Sequence, residues 1–131
     1  MNPKEFSQVA DVMRALSGPF PEGRERSAIS RYYYAVFLEA RERLFAERGW
    51  KFKPHEAHEN VKRCFSFSNE RELLLIGSLL GDLKKLRVEA DYDLAKRDPQ
   101  AGNEAKRIQD DIEEALAKAD FSKCVNPLGK P

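Results

Sequence analysis

Leu73-Leu74-Leu75-Ile76-Gly77-Ser78-Leu79-Leu80-Gly81-Asp82-Leu83-Lys84-Lys85-Leu86-Arg87-Val88-Glu89-Ala90-Asp91-Tyr92 is the most apolar stretch of the chain, and its period decides the fold class. Leu73, Ile76, Leu79, Leu80, Leu83, Leu86 and Ala90 recur at steps of three and four, the spacing of one helical face. The spacing predicts a helix over 70–92, with Ser68 or Asn69 as its cap. Its apolar richness predicts that it is the central element. The uncharged run 73–81 is far short of the ~20 residues that cross a bilayer. Gly77 and Gly81, four apart, therefore read as close packing against another helix rather than as a membrane dimer motif.

The same period extends outward in both directions. A helix fits 3–17 with Phe6, Val9, Met13 and Leu16 on one stripe, Asn2 as N-cap, Pro3 at its first position and Glu5 placed for a capping box. Two prolines and two glycines in 18–23 end it. A second helix fits 24–48, with Ile29, Tyr33, Val36, Ala40 and Leu44 flanked by Tyr32 and Phe37, and stops at Gly49. A short helix fits 55–65 with Ala57, Val61, Cys64 and Phe65 inward. A last one fits 99–119 through Ala105, Ile108, Ile112, Leu116 and Ala119. No strand alternation, internal repeat or low-complexity tract interrupts this. The fold class is all-α: an antiparallel up-and-down four-helix bundle with an additional short helix. It forms a single domain over 1–131, with the core at about 3–120 and a tail at 121–131, frayed in its proline- and glycine-bearing end.

Composition narrows the function classes. With 41% hydrophobic and 34% charged residues, 131 residues fold around one core and are not a disordered chain. Lys and Arg number 23 against 22 Asp and Glu, a net charge of +1, so any binding to nucleic acid or membrane must come from a local patch. The N-terminus lacks a signal-peptide apolar core, and the two cysteines, Cys64 and Cys124, show no metal spacing. The expectation is a soluble, cytoplasmic domain with free thiols, no cofactor and no membrane partner.

Phosphate-cradling glycine loops, paired Cys motifs, HExxH and Gly-x-Ser-x-Gly are all missing. His55 and His58 could turn two imidazoles toward a metal, but no third ligand stands at a suitable spacing, and no metal site is expected. His58 alone could serve as a neutral base or a phosphate donor. Tyr32, Tyr33 and Tyr34, at ~100° per residue, cannot share one face; Tyr33 reads as core and the direction of the other two is open. Arg87 and Asp91 are spaced as an ion pair within one helix. The ion pair is the first reading; because Arg87 adjoins the strongest apolar stripe, a half-buried donor fork for phosphate is the alternative.

Three stretches taken together resemble the HEPN domain family, most of all its small stand-alone bacterial and archaeal members. They are Ser30-Arg31-Tyr32-Tyr33-Tyr34-Ala35-Val36-Phe37, His58-Glu59-Asn60-Val61-Lys62-Arg63-Cys64-Phe65 and Leu86-Arg87-Val88-Glu89-Ala90-Asp91-Tyr92-Asp93. The resemblance implies a helical bundle that dimerises. It also implies a metal-independent ribonuclease or a nucleotide binder of a toxin–antitoxin or defence system, often paired with a minimal nucleotidyltransferase. In the nuclease branch an Arg is followed four to six residues later by a His; Arg87 matches the Arg, but Tyr92 stands where the His would be. On that resemblance the candidate catalytic residues are Arg87 gripping a phosphate, Asp91 orienting it and Tyr92 supplying a hydroxyl. Arg31, Tyr33 and His58 are the candidate ligand-binding residues. Weak RNA cleavage, RNA or nucleotide binding without cleavage, and a catalytically inactive interaction protein all stay open. An open cleft walled by Arg87 and Tyr92 favours ligand chemistry, whereas a closed Arg87–Asp91 pair capped by Tyr33 favours a structural knot.

Overall fold

A computed structural model describes residues 2–96 and 98–129, all of whose regular elements are helical. They are α1 (Lys4–Ala15), α2 (Pro21–Arg48), α3 (Ala57–Ser66), α4 (Arg71–Tyr92), α5 (Ala101–Lys118) and a 3-10 turn (Phe121–Lys123). The last two residues of the expected tail lie outside the described ones.

Side-chain bonds between helix ends fix the topology. Arg14, late in α1, bonds Glu25, early in α2, at 2.9 Å, so the two run antiparallel. From the start of α2, Arg26 donates to the carbonyls of Glu89, Ala90 and Asp93 at the end of α4, which sets α4 antiparallel to α2. Late in α2, Arg43 donates to the Leu116 carbonyl at the end of α5, so α5 is parallel to α2. The four long helices thus go up, down, up and down, with α3 the additional short one. Arg26 and Arg43 thereby meet carbonyls at the C-terminal ends of α4 and α5, the negative ends of those helix dipoles.

The core is one cluster, and α2 is its axis. Ile29, Tyr33, Val36, Ala40 and Leu44 are buried as their spacing predicts, but so are Ala28, Tyr32, Ala35 and Phe37. That breadth lets α2 pack against α1, α3, α4, α5 and the 3-10 turn. The expectation that the 70–92 helix is central is therefore corrected. Leu74 and Leu75 of α4 are 43% and 48% exposed, because its apolar run is wider than its contacts with α2, α3 and α5 require. α1 also departs from its expected stripe. It lies on α2 through the small Ser7 and Ala10, leaving Val9, Val12 and Leu16 exposed.

The helix ends follow local chemistry. The N-cap of α1 is Pro3, one residue beyond the expected Asn2, whose side-chain oxygen nevertheless accepts the Lys4 N–H at 3.0 Å. α2 begins three residues before its expected start, because Pro21 fits a first turn that needs no N–H from it. Phe20 enters it at φ 60°, in the left-handed region. Gly49 ends α2 in the same region at φ 70°. Neither Ser68 nor Asn69 is the cap of α4; Glu70 is, and the Ser68 hydroxyl instead accepts the Glu70 N–H and donates to the Lys123 carbonyl. Gly77 packs as expected: a Cβ there would lie 3.0 Å from the Ser66 backbone nitrogen, so only glycine lets α3 and α4 approach this closely. The core also runs past residue 120, since Phe121 and Cys124 are buried and the Val125 N–H bonds the Cys64 carbonyl.

Candidate functional site

Three helices contribute to one cluster of rings and cations. Along α2, Tyr33, Phe37 and Arg41 follow at four-residue steps and so share a face, with Tyr34 beside them. The first turn of α3 brings His58 onto that face. Its ring lies parallel to Phe37, with centroids 4.2 Å apart and 11° between planes. The Tyr33 ring is also nearly parallel to it, and the Tyr33 hydroxyl is 2.7 Å from His58 Nδ1. Tyr34 meets the imidazole edge-on at 5.9 Å.

From α4, Arg87 also lies over the two tyrosines. Its guanidinium carbon is 5.4 Å from the Tyr33 ring centroid and 5.6 Å from that of Tyr34, which ties α4 to α2. Arg87 Nη1 donates to Asp91 Oδ2 at 3.1 Å, and its side chain is only 13% exposed. The buried Nε has no hydrogen-bond partner among the described residues. Arg41 lies 5.8 Å from the Phe37 centroid at the far end of the ring stack.

The electrostatics follow from this packing. Burial holds the His58 imidazole below its ordinary pKa, and the cations of Lys84, Arg87 and Arg41 push it further the same way. Burial raises the Tyr33 phenol well above its usual range, against the pull of Arg87. At neutral pH the site therefore contains a neutral imidazole, a protonated phenol and three cations.

Of the residues singled out from sequence, Tyr33, His58, Arg87 and Asp91 come together. Tyr92 does not join them. Five residues beyond Arg87 it is turned about 140° around the helix, and it stands 75% exposed. Arg31 is turned about 160° from Tyr33, and its guanidinium reaches back to the Ser27 carbonyl of its own helix at 3.4 Å. Arg87 and Tyr92 therefore do not wall one cleft, and of the two arrangements weighed from sequence it is the Arg87–Asp91 pair against Tyr33 that is present. A cavity of about 290 Å³ lies elsewhere, between the start of α2 and the end of α4, where Arg26, Ile29, Leu86, Ala90 and Pro99 line it. His55 pairs with Glu56 at 3.5 Å while His58 faces Tyr33, and no group of three or more metal-ligating side chains occurs among the described residues. Tyr34, Phe37, Arg41 and Lys84 are the members that sequence reasoning passed over as site residues. Arg41 is four residues beyond Phe37 and Lys84 three before Arg87, so helical spacing carried a signal for both.

The sequence matches no protein-family model, and no solved structure matches the chain. An uncharacterized protein of Methanocaldococcus jannaschii is 30% identical over 108 residues, covering 71% of this chain. The match takes in 61% of that relative's length.

Proposed function

We propose that this chain is a HEPN-like module that binds RNA or a nucleotide through the Arg41–Lys84–Arg87 face without cleaving it. The observation that carries the reading is Arg87 lying over Tyr33 and Tyr34 with its buried Nε unpartnered among the described residues, on a ring cluster that also holds Arg41, with Lys84 three residues before Arg87 on α4, in a chain of net charge +1. A neutral protein needs such a local patch to hold phosphates, and here aromatic rings support it, as they do in single-strand binding sites. Cleavage is left out of the reading because neither residue assigned to it on the family pattern is free to act beside Arg87, and the His58 imidazole in the cluster has its Nδ1 taken by the Tyr33 hydroxyl. Asp91 is bound to the guanidinium, and Tyr92 faces away. In this reading the protein works in the cytoplasm as part of a prokaryotic toxin–antitoxin or defence system, as a homodimer.

A second reading has its own observation. The closed Arg87–Asp91 pair over Tyr33 and Tyr34 is the geometry of a structural knot, and it favours a catalytically inactive partner of a minimal nucleotidyltransferase. Salt dependence of binding to a short single-stranded RNA separates the two. The anion reading expects Lys84→Ala and Arg41→Ala each to weaken binding and each to lower the slope of log affinity against log salt by ~0.7. Absence of RNA binding, or equal slopes in parent and variants, would overturn it in favour of the interaction protein.

A further inference from the structure

His58 is the one member of the cluster whose charge can change near neutral pH, and every element around it bears on that change. From α2 come the Tyr33 hydroxyl at Nδ1, the parallel Phe37 ring, the Tyr34 edge and Arg41. From α4 come Lys84 and Arg87, the latter carrying Asp91. On its own helix, Glu59 is bound to Arg63 at 3.2 Å, and the neighbouring His55 faces Glu56. The Tyr33 phenol is protonated and its hydroxyl lies 2.7 Å from Nδ1; in the tautomer that carries the ring proton on Nε2, it donates to Nδ1.

We propose that His58 is the proton-linked member of the anion site: a phosphate seated among Arg41, Lys84 and Arg87 accepts a hydrogen bond from Nε2–H, and the ring takes up a second proton at Nδ1 as that phosphate arrives. The proposal rests on the anion reading of the site. The proton comes from solvent, and the Tyr33 hydroxyl turns from donor to acceptor, so Nδ1 keeps a partner in both states. Without the phosphate an imidazolium would face three cations. With it, a negative charge lies among them and the protonated ring is favoured. Affinity for the phosphate therefore rises as pH falls between the pKa of the bound state and that of the free one, by up to about tenfold per pH unit.

Fluorescence anisotropy with a short tetramethylrhodamine-labelled oligouridylate, whose bases do not titrate in this window, tests the link between about pH 8 and pH 5.5 at fixed ionic strength. The expected result is tighter binding on acidification. The slope is abolished by His58→Gln, moved to lower pH by Tyr33→Phe and retained by His55→Gln. Binding with no pH slope, or a slope that survives His58→Gln, would overturn the proton link and leave the RNA-binding reading standing. No binding at any pH would overturn the RNA-binding reading and this inference with it. Nitrogen NMR of the unsubstituted protein covers the case in which the variants misfold. Saturation with the oligouridylate should convert Nδ1 from an acceptor to a protonated nitrogen, and an unchanged Nδ1 signal contradicts the proposal.

Discussion

Arg48 and Arg87 are both arginines lying on aromatic rings, yet they differ in what takes their N–H groups. Arg48 sits 4.3 Å from the Trp50 centroid, and one nitrogen donates to the carbonyls of Phe121, Ser122 and Cys124. Backbone oxygens fixed by a 3-10 turn hold it, so it clamps the C-terminal segment against α2. Arg87 rests on Tyr33 and Tyr34, but its hydrogen bonding among the described residues goes only to one carboxylate, Asp91. A carboxylate on an exposed helix turn is a partner that a phosphate can replace, whereas a backbone carbonyl in a turn is not. Arg48 is glue, and Arg87, in the proposed reading, is glue and grip.

The largest expected effect falls at the glue end. Arg48→Ala removes three charge-assisted bonds and a cation–ring contact, and urea denaturation should show a loss of about 3 kcal/mol. RNA affinity should not change. The same variant has a chemical readout. Burial pushes the Cys64 and Cys124 thiols up to about 12, so both should alkylate slowly in the native protein. Releasing the segment should speed iodoacetamide labelling of Cys124, and Arg87→Ala should not.

A smaller effect comes from the acidic counterpart of Arg87. Glu39 Oε2 and Arg87 Nε are both buried side-chain atoms without a hydrogen-bond partner among the described residues. Burial, and then the carboxylate of Glu113, raise the Glu39 pKa, against the pull of Lys4 and Arg43. An acid raised in the folded state opposes folding once ionised: the burden is absent well below its ordinary pKa and grows as pH rises through it. Glu39→Gln should therefore raise the melting temperature near pH ~7 and leave it unchanged near pH ~3. The smallest effect is a null. Tyr92→His should produce no gain in RNA cleavage, because position 92 points away from the Arg87 face; a clear gain would return catalysis to this site.

Much of the fold was legible because period alone reports it. Every helix expected from the apolar spacing exists, and the α2 stripe is buried residue for residue. Period does not say how many neighbours a helix has. The run from Leu73 to Gly81 looked central yet leaves Leu74 and Leu75 outside, while α2 gained its place from alanines and tyrosines that hydrophobicity weighs lightly. On α1, small Ser7 and Ala10 won the interface over Val9 and Val12 because they allow close approach. Within the site, the Arg87–Asp91 pair is local and could be read from spacing. The Tyr33–His58 bond crosses 25 positions and needed the fold. Tyr92 and Arg31 entered through motif adjacency, which ignores the ~100° turn that each residue adds.

The central claim is that Arg87 grips a phosphate, and the direct test is Arg87→Ala measured for both affinity and melting temperature. An intrahelical ion pair and a ring contact contribute about 1 kcal/mol of stability, whereas a charge-assisted phosphate contact contributes about 1.5–3 kcal/mol of binding. The expected result is RNA affinity reduced by about tenfold or more, with the melting temperature lowered by only a few degrees. A large fall in melting temperature with RNA affinity intact would contradict the account and make Arg87 a structural knot like Arg48.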